Sequence, residues 1–181
     1  MPLIQEKSRQ RDIQKKQISH LRDIKSKEAK IGDHLIRTVS GARAIIAYKA
    51  ISFEADIDFA LSELELSRNL KIFYPRIIGR DLEFVHAISW NMGKFSVPEP
   101  VGTHTTSLEN TDFCIVPGLG FNRRGYRLGR GGGFYDRALD GFPAEKILGV
   151  SFSEVFPVDF QEEPHDIRAG RLITDKEVIF F

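Results

Sequence analysis

The sequence predicts an α/β fold, a three-layer sandwich with a mostly parallel central sheet. Two patterns predict it: short runs of consecutive apolar residues, typical of strands buried on both faces, alternate with segments of helical periodicity. The length of 181 residues suits one domain, and apolar residues make up 41% of the chain, enough to build a core. We therefore expect a single domain over residues 1–181.

The first predicted element is a basic helix. Residues 1–30 hold nine Lys or Arg against four Asp or Glu. Apolar residues at positions 18, 21, 24, 31, 35 and 39 recur at spacings of three, four and seven, which predicts a helix over about residues 4–40 that ends at Ser40 and Gly41. We expect a solvated basic face rather than a nucleic-acid arm, although some of these cations could reach an anionic ligand.

The elements that follow suggest a βαβ unit. Strands are predicted at 44–48 and 71–74, the second ended by Pro75, and a helix capped by Asp56 lies between them. Its crossover should be right-handed. Farther along the chain we expect an antiparallel or edge strand at 82–88 and an extended or looped segment around residues 98–100. Buried strands are predicted at 113–116 and 146–152, and a short final strand at 178–181.

Composition excludes several classes of function. The formal net charge is +1, which does not favour binding nucleic acid by bulk charge. The one cysteine, Cys114, permits neither an intrachain disulfide nor a thiolate metal cluster, and we expect it to be inert core. No apolar run approaches the roughly 20 residues that a membrane-spanning helix needs, and the basic N terminus lacks the apolar run of a secretory signal. We expect a soluble, cytoplasmic monomer.

One segment is rich in both glycine and arginine. Seven glycines lie between positions 118 and 133, interleaved with Arg123, Arg124, Arg127 and Arg130, and a helix is predicted to begin at Phe134. Glycine lets backbone amides approach a bound group, a helix N-terminus carries partial positive charge, and arginine forks match phosphate oxygens. We interpret the segment as a phosphate cradle. A plain glycine-rich turn is less favoured, because four glycines in five positions cost backbone entropy.

The spacing of this segment excludes two common nucleotide motifs. Phe134 stands where a G-x-G-x-x-G pattern counted from Gly129 requires glycine, and no glycine precedes Lys-Ser or Lys-Thr as in a P-loop. Two nearby carboxylates are candidate Mg²⁺ ligands, Asp136 just after the glycines and Asp166 in a later predicted turn. Taken alone, Asp136 would be a helix-dipole residue and Asp166 an ordinary turn residue.

The same segment resembles a known family. Residues 117–122 (Pro-Gly-Leu-Gly-Phe-Asn) and 125–136 (Gly-Tyr-Arg-Leu-Gly-Arg-Gly-Gly-Gly-Phe-Tyr-Asp) resemble the signature of the 5-formyltetrahydrofolate cyclo-ligases, or methenyltetrahydrofolate synthetases. A weaker similarity extends over almost the whole chain. The resemblance implies an α/β sandwich and an enzyme that uses ATP and Mg²⁺ to convert 5-formyltetrahydrofolate to 5,10-methenyltetrahydrofolate, ADP and phosphate. The formyl oxygen would be phosphorylated first, and N10 would then close the ring.

The resemblance also implies roles for individual residues. Arg130 would be catalytic, near the γ-phosphate and the formyl oxygen, while Asp136 and Asp166 would hold Mg²⁺. Glu54 would bind the pterin edge, since a carboxylate can accept paired hydrogen bonds from it. The implied ATP-binding residues are Lys7, Arg11, Arg127, Leu128, Gly129, Arg130, Gly131, Gly132, Gly133, Phe134 and Tyr135. The substrate-binding candidates are Lys49, Glu54, Trp90, Arg130 and Phe134.

Some positions leave alternatives open. Lys7 and Arg11 have the four-residue spacing of a family pair that reaches ATP, but other basic residues of the first helix could serve instead. Trp90 could stack on the pterin or pack in a core. Gly132 stands where some members carry Lys, and Asn122 where Asp is common. Two other functions also remain open: a related enzyme for a sugar phosphate or thioester, and a non-catalytic module that binds nucleotide or RNA. We expect folate and ATP as ligands, and no specific nucleic acid.

Overall fold

A large mixed sheet with helices against it organises the chain. The structure is a computed structural model and describes residues 3–93 and 96–181. The helices are α1 (Leu3–Ser19), α2 (Ile24–Thr38), α3 (Asp58–Arg68) and α4 (Phe134–Ala138). The strands are β1 (Ala44–Ile46), β2 (Lys71–Ile78), β3 (Asp81–Val85), β4 (Ser89–Met92), β5 (Pro98–Val101), β6 (Thr105–Thr106), β7 (Phe113–Pro117), β8 (Gly120–Phe121), β9 (Arg127–Leu128), β10 (Ile147–Val150), β11 (Arg171–Ile173) and β12 (Val178–Phe180).

The central sheet has eight strands in the order β12-β11-β10-β7-β1-β2-β3-β6. Its five middle strands, from β11 to β2, are all parallel, and antiparallel strands flank them on both sides. The adjacent parallel strands β1 and β2 are joined through α3, which is the predicted βαβ unit. The predicted α/β class and the mostly parallel sheet are therefore confirmed. The hairpins β4–β5 and β8–β9 lie outside this sheet.

Successive residues of the middle strands face opposite layers, as the pleat requires. One face is covered by apolar side chains of α1, α2 and α3, among them Ile31, Leu35 and Leu61. The other face packs against α4 and the segments around it, through residues such as Phe121 and Leu139. Within the described residues, no helix combines the length and the apolar character that crossing a membrane demands.

The prediction of one N-terminal helix over 4–40 is wrong, because α1 and α2 are separate helices. The chain breaks at residues 20–23, where Asp23 has a left-handed backbone with φ of 55°. Both helices pack on the core, α1 through Ile18 and α2 through Leu35. Helix α1 also contacts the glycine-rich segment through Arg11. The end of the second helix at Thr38, near Ser40, agrees with the prediction.

Strand β2 continues through Pro75, contrary to the prediction that this proline ends it. Strand β1 pairs with β2 only as far as Phe73, and from Tyr74 onward β2 pairs with β3 alone. A strand paired on one side tolerates a residue without an N–H group. The predicted antiparallel strand at 82–88 is present as β3, but β6 rather than β3 lies at the edge.

Other element boundaries also differ from the predictions. Helix α3 begins at Asp58, and Ile57 rather than Asp56 holds the N-cap position. Asp56 still contributes, because its Oδ1 accepts a hydrogen bond from the Asp58 N–H at 3.0 Å. The segment at 98–100 is the strand β5, paired with β4, and the strand β11 lies where the sequence predicted no element.

Candidate functional site

A cavity lined mostly by apolar side chains opens at the carboxyl ends of the parallel strands. The segments that follow β1 and β7 meet there, as expected for ligand sites in open α/β sheets. The cavity has a volume of about 350 Å³. Its walls are largely aromatic and aliphatic side chains, including Tyr48, Tyr74, Trp90, Phe134 and Tyr135. A few polar groups lie among them: Lys49, Glu54, Glu99, Arg127 and Arg130. This composition suits a flat, mostly apolar ligand with some polar atoms.

The glycine-rich loop at 129–133 forms one wall of this cavity. Gly131 and Gly133 have φ values of +98° and +65°, which a residue with a side chain rarely adopts. Within the described part of the chain, the backbone N–H groups of residues 130–134 donate to no protein acceptor. Helix α4 follows as predicted, but it has only five residues and adds little dipole. The groups at this loop that suit an anion are therefore its N–H groups and arginines rather than the helix N-terminus.

Arg130 and Glu54 join the glycine-rich loop to the segment that follows β1. The Arg130 Nε lies 3.0 Å from Glu54 Oε1, and its Nη2 donates to the Ser52 carbonyl oxygen. The other Glu54 oxygen accepts the Ile51 N–H at 3.1 Å. The Glu54 side chain is only 8% exposed, whereas that of Arg130 is 36% exposed. Burial raises the pKa of the Glu54 carboxyl, and the Ile51 N–H and the Arg130 charge only partly offset this.

Arg127 is buried beneath the loop. Its Nη1 donates to the Pro117 carbonyl oxygen at 3.1 Å, and its Nη2 lies 3.6 Å from Asp136 Oδ2. Its guanidinium carbon lies 5.0 Å from the centre of the Tyr135 ring. The Nε has no hydrogen-bond partner among the described residues. Arg127 thus connects the loop to β7 through the Pro117 carbonyl oxygen. Its Nε remains as a hydrogen-bond donor beside the cavity.

Helix α1 places the two predicted basic residues, Lys7 and Arg11, on one face. The Arg11 Nε donates to the Gly129 carbonyl oxygen at 2.8 Å, in contact with the loop. The Lys7 ammonium lies 2.7 Å from Glu163 Oε2 and 2.5 Å from Asp166 Oδ2. Burial disfavours the charged lysine, but these hydrogen bonds outweigh it and raise the Lys7 pKa. The positive charge of Lys7 is therefore paired with Asp166 and Glu163 and does not lie at the loop.

The two predicted metal ligands approach the same stretch of backbone. Asp136 Oδ1 lies 3.4 Å from the backbone nitrogen of Ile167, the residue after Asp166. Asp166 also accepts the Glu163 N–H at 2.6 Å. Ligand atoms of Glu163, His165 and Asp166 lie within 4.8 Å of one another. Carboxylate oxygens fit Mg²⁺, although Asp166 already holds the ammonium group of α1.

The residues predicted to bind the folate substrate also line the cavity. Lys49 forms an ion pair with Asp58, and its Nζ lies 5.3 Å from the centre of the Trp90 ring. Trp90 is 36% exposed and meets Tyr74 edge-on at 4.8 Å, so it forms a wall of the cavity rather than part of a core. Phe134 lies on the same wall as the glycine-rich loop. The structure thus brings Lys49, Glu54, Trp90 and the loop around one space.

Two departures from the family pattern have a structural counterpart. Asn122 Oδ1 accepts the N–H groups of Arg124 at 2.9 Å and Tyr126 at 3.0 Å, and an aspartate could accept both in the same way. A Cβ at Gly132 would lie 3.0 Å from the Phe134 ring. A larger residue at 132 would therefore press on that ring.

Sequence reasoning missed several residues of the site. Tyr48 is buried beside Glu54 and its hydroxyl donates to the Ala55 carbonyl oxygen at 2.7 Å. Glu99 lines the cavity from β5, and its Oε1 has no hydrogen-bond partner among the described residues. The Pro-Glu-Pro sequence at 98–100 is the signal for Glu99, since the prolines favour an extended segment that presents its side chain on one face. Arg137 contacts the loop from α4, and no pattern in the sequence indicates this.

Comparisons with known proteins point to one family. The model of the 5-formyltetrahydrofolate cyclo-ligase family matches residues 4–163. A 5-formyltetrahydrofolate cyclo-ligase of Mycoplasma pneumoniae is 29% identical over 136 residues, which are 74% of this chain and 74% of that protein. Another, from Mycolicibacterium smegmatis, is 34% identical over 83 residues, which are 45% of this chain and only 43% of that protein.

Solved structures have the same fold. A 5,10-methenyltetrahydrofolate synthetase from Mycoplasma pneumoniae superposes with a TM-score of 0.76 at 24% identity, covering 93% of this chain and 98% of that one. The NMR structure of the Aquifex aeolicus 5,10-methenyltetrahydrofolate synthetase has a TM-score of 0.75 at 25% identity, with coverages of 96% and 92%. The shared fold therefore extends over nearly the whole of this chain.

Proposed function

The chain belongs to the 5-formyltetrahydrofolate cyclo-ligase family, and we propose that it converts 5-formyltetrahydrofolate to 5,10-methenyltetrahydrofolate with ATP and Mg²⁺. ADP and phosphate are the other products. One observation carries the proposal: the glycine-rich loop, whose N–H groups at 130–134 have no acceptor among the described residues, forms a wall of the aromatic cavity, and Arg130 lies on that wall. A nucleotide's terminal phosphate and a folate ring can therefore meet at this arginine.

The glycine-rich loop and its arginines bind the ATP phosphates in this proposal. The unbonded N–H groups of residues 130–134 supply donors for phosphate oxygens, and the positive φ values at Gly131 and Gly133 make this backbone shape attainable. Arg11 supports the loop from α1 through the Gly129 carbonyl oxygen. Asp136 and Asp166 would hold Mg²⁺, which offsets phosphate charge when bound.

Reduced folate occupies the aromatic cavity. Trp90 and Phe134 provide ring surfaces, and the pterin is a flat ring system that stacks well on them. Glu54 accepts hydrogen bonds from the ring's amino and N–H groups with the lone pairs that its protein partners leave free. Lys49 lies at the same wall, beside Trp90.

The reaction proceeds by activation and then cyclisation. The N5-formyl oxygen attacks the γ-phosphorus in line, the bond to ADP breaks, and the formyl group becomes a phosphorylated imidate. Arg130 stabilises the charge on the transferring group. N10 then attacks the formyl carbon and loses its proton, and phosphate leaves with the former formyl oxygen. Holding N10 near that carbon, at roughly 3–3.5 Å, supplies much of the rate enhancement.

A direct assay tests the proposal. Purified protein is mixed with 5-formyltetrahydrofolate, ATP and Mg²⁺, and the absorbance of the methenyl product is followed together with release of ADP. We expect one ADP per methenyl product, and no product when either ATP or Mg²⁺ is omitted. Folded protein that forms no methenyl product, or that forms it without consuming ATP, would contradict the proposal. Arg130→Gln is the comparison variant, and we expect it to form the methenyl product about 100- to 1,000-fold more slowly.

A further inference from the structure

Arg137 of α4 connects three parts of the site although its side chain is exposed. Its Nε and Nη2 donate to the Arg80 carbonyl oxygen, at 3.1 and 2.7 Å, in the turn between β2 and β3. Its Nη1 donates to the Gly132 carbonyl oxygen at 3.2 Å. The guanidinium carbon lies 5.2 Å from the centre of the Phe134 ring. One side chain thus contacts the glycine-rich loop, a cavity-lining ring and the hairpin behind them.

These contacts set the direction of the loop amides. In a trans peptide the C=O and the following N–H point in opposite directions. Because the Gly132 carbonyl points to Arg137, the Gly133 N–H points away from it. Arg11 acts in the same way on the other side: it donates to the Gly129 carbonyl oxygen, and so the Arg130 N–H points away from α1. Each arginine therefore fixes the direction of one loop peptide: Arg137 that of Gly132–Gly133 and Arg11 that of Gly129–Arg130.

The Arg137 guanidinium lies close to the backbone of Gly133, whose φ of +65° favours glycine at this position. A Cβ at Gly133 would lie 2.7 Å from Arg137 Nη1. Among the described residues, Arg137 also has no carboxylate partner, whereas Arg130 pairs with Glu54. All three of its hydrogen bonds go to backbone carbonyl oxygens, so its positive charge is not cancelled by an acidic side chain and adds to the positive potential at the loop.

We propose that Arg137 is a positioning residue for phosphate binding, which holds the Gly132 carbonyl aside so that the neighbouring N–H groups face the nucleotide's terminal phosphates. The proposal rests on the function inferred above. A planar fork is needed, because one group must reach two carbonyl oxygens while its carbon lies 5.2 Å from the centre of the Phe134 ring. Lysine keeps the charge but has neither property.

The test compares Arg137→Gln and Arg137→Lys with the wild type. Arg171→Gln is the matched control, since Arg171 also lies over aromatic rings, those of Phe113 and Phe180 at 5.8 and 5.4 Å, but outside the cavity. We measure kcat and KM for ATP, the Kd of ADP with Mg²⁺ by calorimetry, the Kd of 5-formyltetrahydrofolate without nucleotide, and Tm. The last two separate positioning of the loop from general loss of structure.

For Arg137→Gln we expect kcat/KM for ATP to fall about 10- to 100-fold, the range that misplacement of a binding group produces. The ADP Kd should rise about 10-fold or more, the folate Kd should stay within about 2-fold, and Tm should change by no more than about 2 °C. Arg137→Lys should resemble Arg137→Gln, and the Arg171 control should resemble the wild type.

Three results would overturn the proposal: unchanged ATP kinetics in Arg137→Gln, full activity in Arg137→Lys, or parallel loss of ADP and folate binding with a large fall in Tm. The first result would show that Arg137 has no role in ATP binding. The second would show that its positive charge alone is sufficient, and the third that Arg137 stabilises the fold as a whole. A wild type that binds ADP but forms no methenyl product would contradict the proposed function only, and the ADP Kd would then decide about Arg137. A wild type that binds no ADP would overturn both.

Discussion

Replacing Glu54 with Gln separates two roles of this carboxylate, its ion pair with Arg130 and its proposed contact with folate. Glu54 is ion-paired with Arg130 in the free protein, and we propose that it accepts hydrogen bonds from the folate ring. Glutamine keeps the shape and one carbonyl oxygen but removes the charge. A charge-assisted hydrogen bond contributes about 1.5–3 kcal/mol, so folate affinity should fall about 10- to 150-fold in Glu54→Gln.

The free protein should not lose stability with the same substitution. The ion pair with Arg130 contributes at most about 1 kcal/mol, because Arg130 is 36% exposed and screened by solvent. Burial opposes this contribution, since it raises the pKa of the Glu54 carboxyl above its ordinary value. The charged form is therefore less favoured in the folded than in the unfolded chain. At pH 7, Glu54→Gln should have a Tm equal to or slightly above that of the wild type.

The pH dependence follows from the same raised pKa. The folded protein binds a proton at Glu54 at a higher pH than the unfolded chain does, so the wild type gains stability relative to Glu54→Gln as pH falls. Any Tm advantage of the variant should therefore shrink toward about pH 4. Protonation also removes the carboxylate acceptor, so wild-type folate affinity should weaken on acidification, beginning above the ordinary Glu pKa of about 4.3. The variant should lack this weakening.

Calorimetric folate titrations without nucleotide, at several pH values, and thermal unfolding measure these effects. Glu83→Gln is the matched control, because Glu83 pairs with Arg76 at 2.6 Å and neither residue lines the cavity. The control should keep wild-type folate affinity. The reasoning is refuted if Glu54→Gln binds folate as tightly as the wild type, or if its Tm falls by more than about 5 °C, which would make the pair a structural one.

Three further outcomes are expected. Arg130→Gln should lower kcat about 100- to 1,000-fold, as loss of a donor to a transition state does, with little change in Tm; wild-type turnover would contradict its catalytic role. Asp175→Asn should destabilise the fold at pH 7 by about 1–3 kcal/mol: burial raises the pKa of Asp175, but hydrogen bonds from the Ser153 N–H and hydroxyl and from Lys27 outweigh this and lower it. That stability is present above the unfolded pKa and lost on acidification, so urea curves of the two proteins should converge below about pH 4. Cys114 is buried and burial raises its pKa, so thiol reagents should modify it only after denaturant is added; rapid labelling of native protein would contradict this.

Much of the fold can be predicted because buried parallel strands leave a strong signal. Strands β1, β7 and β10 appear in the sequence as consecutive apolar residues, and each is predicted within a few residues. Strands β6, β8 and β9 have two residues each, too short for any period. The break between α1 and α2 is missed because the apolar spacing continues across it, and only the left-handed Asp23 reveals where the chain turns.

The candidate site is predicted less evenly. Glycines and arginines in one segment indicate the loop from the amino-acid sequence alone, because few other roles require both residue types together. Side chains that act across elements give no local signal. Arg137 contacts Arg80, 57 positions earlier in the chain, and Lys7 contacts Asp166, 159 positions later. Such contacts depend on how the helices pack, which spacing in the sequence does not record.

The contact between Arg130 and Glu54 couples the two proposed binding events. Each of these side chains is a ligand for the other in the free protein, and each has a proposed ligand of its own in the complex. A phosphate that draws Arg130 away leaves Glu54 buried and without its ion-pair partner, and such a carboxylate gains from a new N–H donor. Nucleotide binding should therefore favour folate binding, and by linkage folate should favour nucleotide binding to the same degree. The ion pair is then a coupling device, because it stabilises the free state only until both substrates replace it.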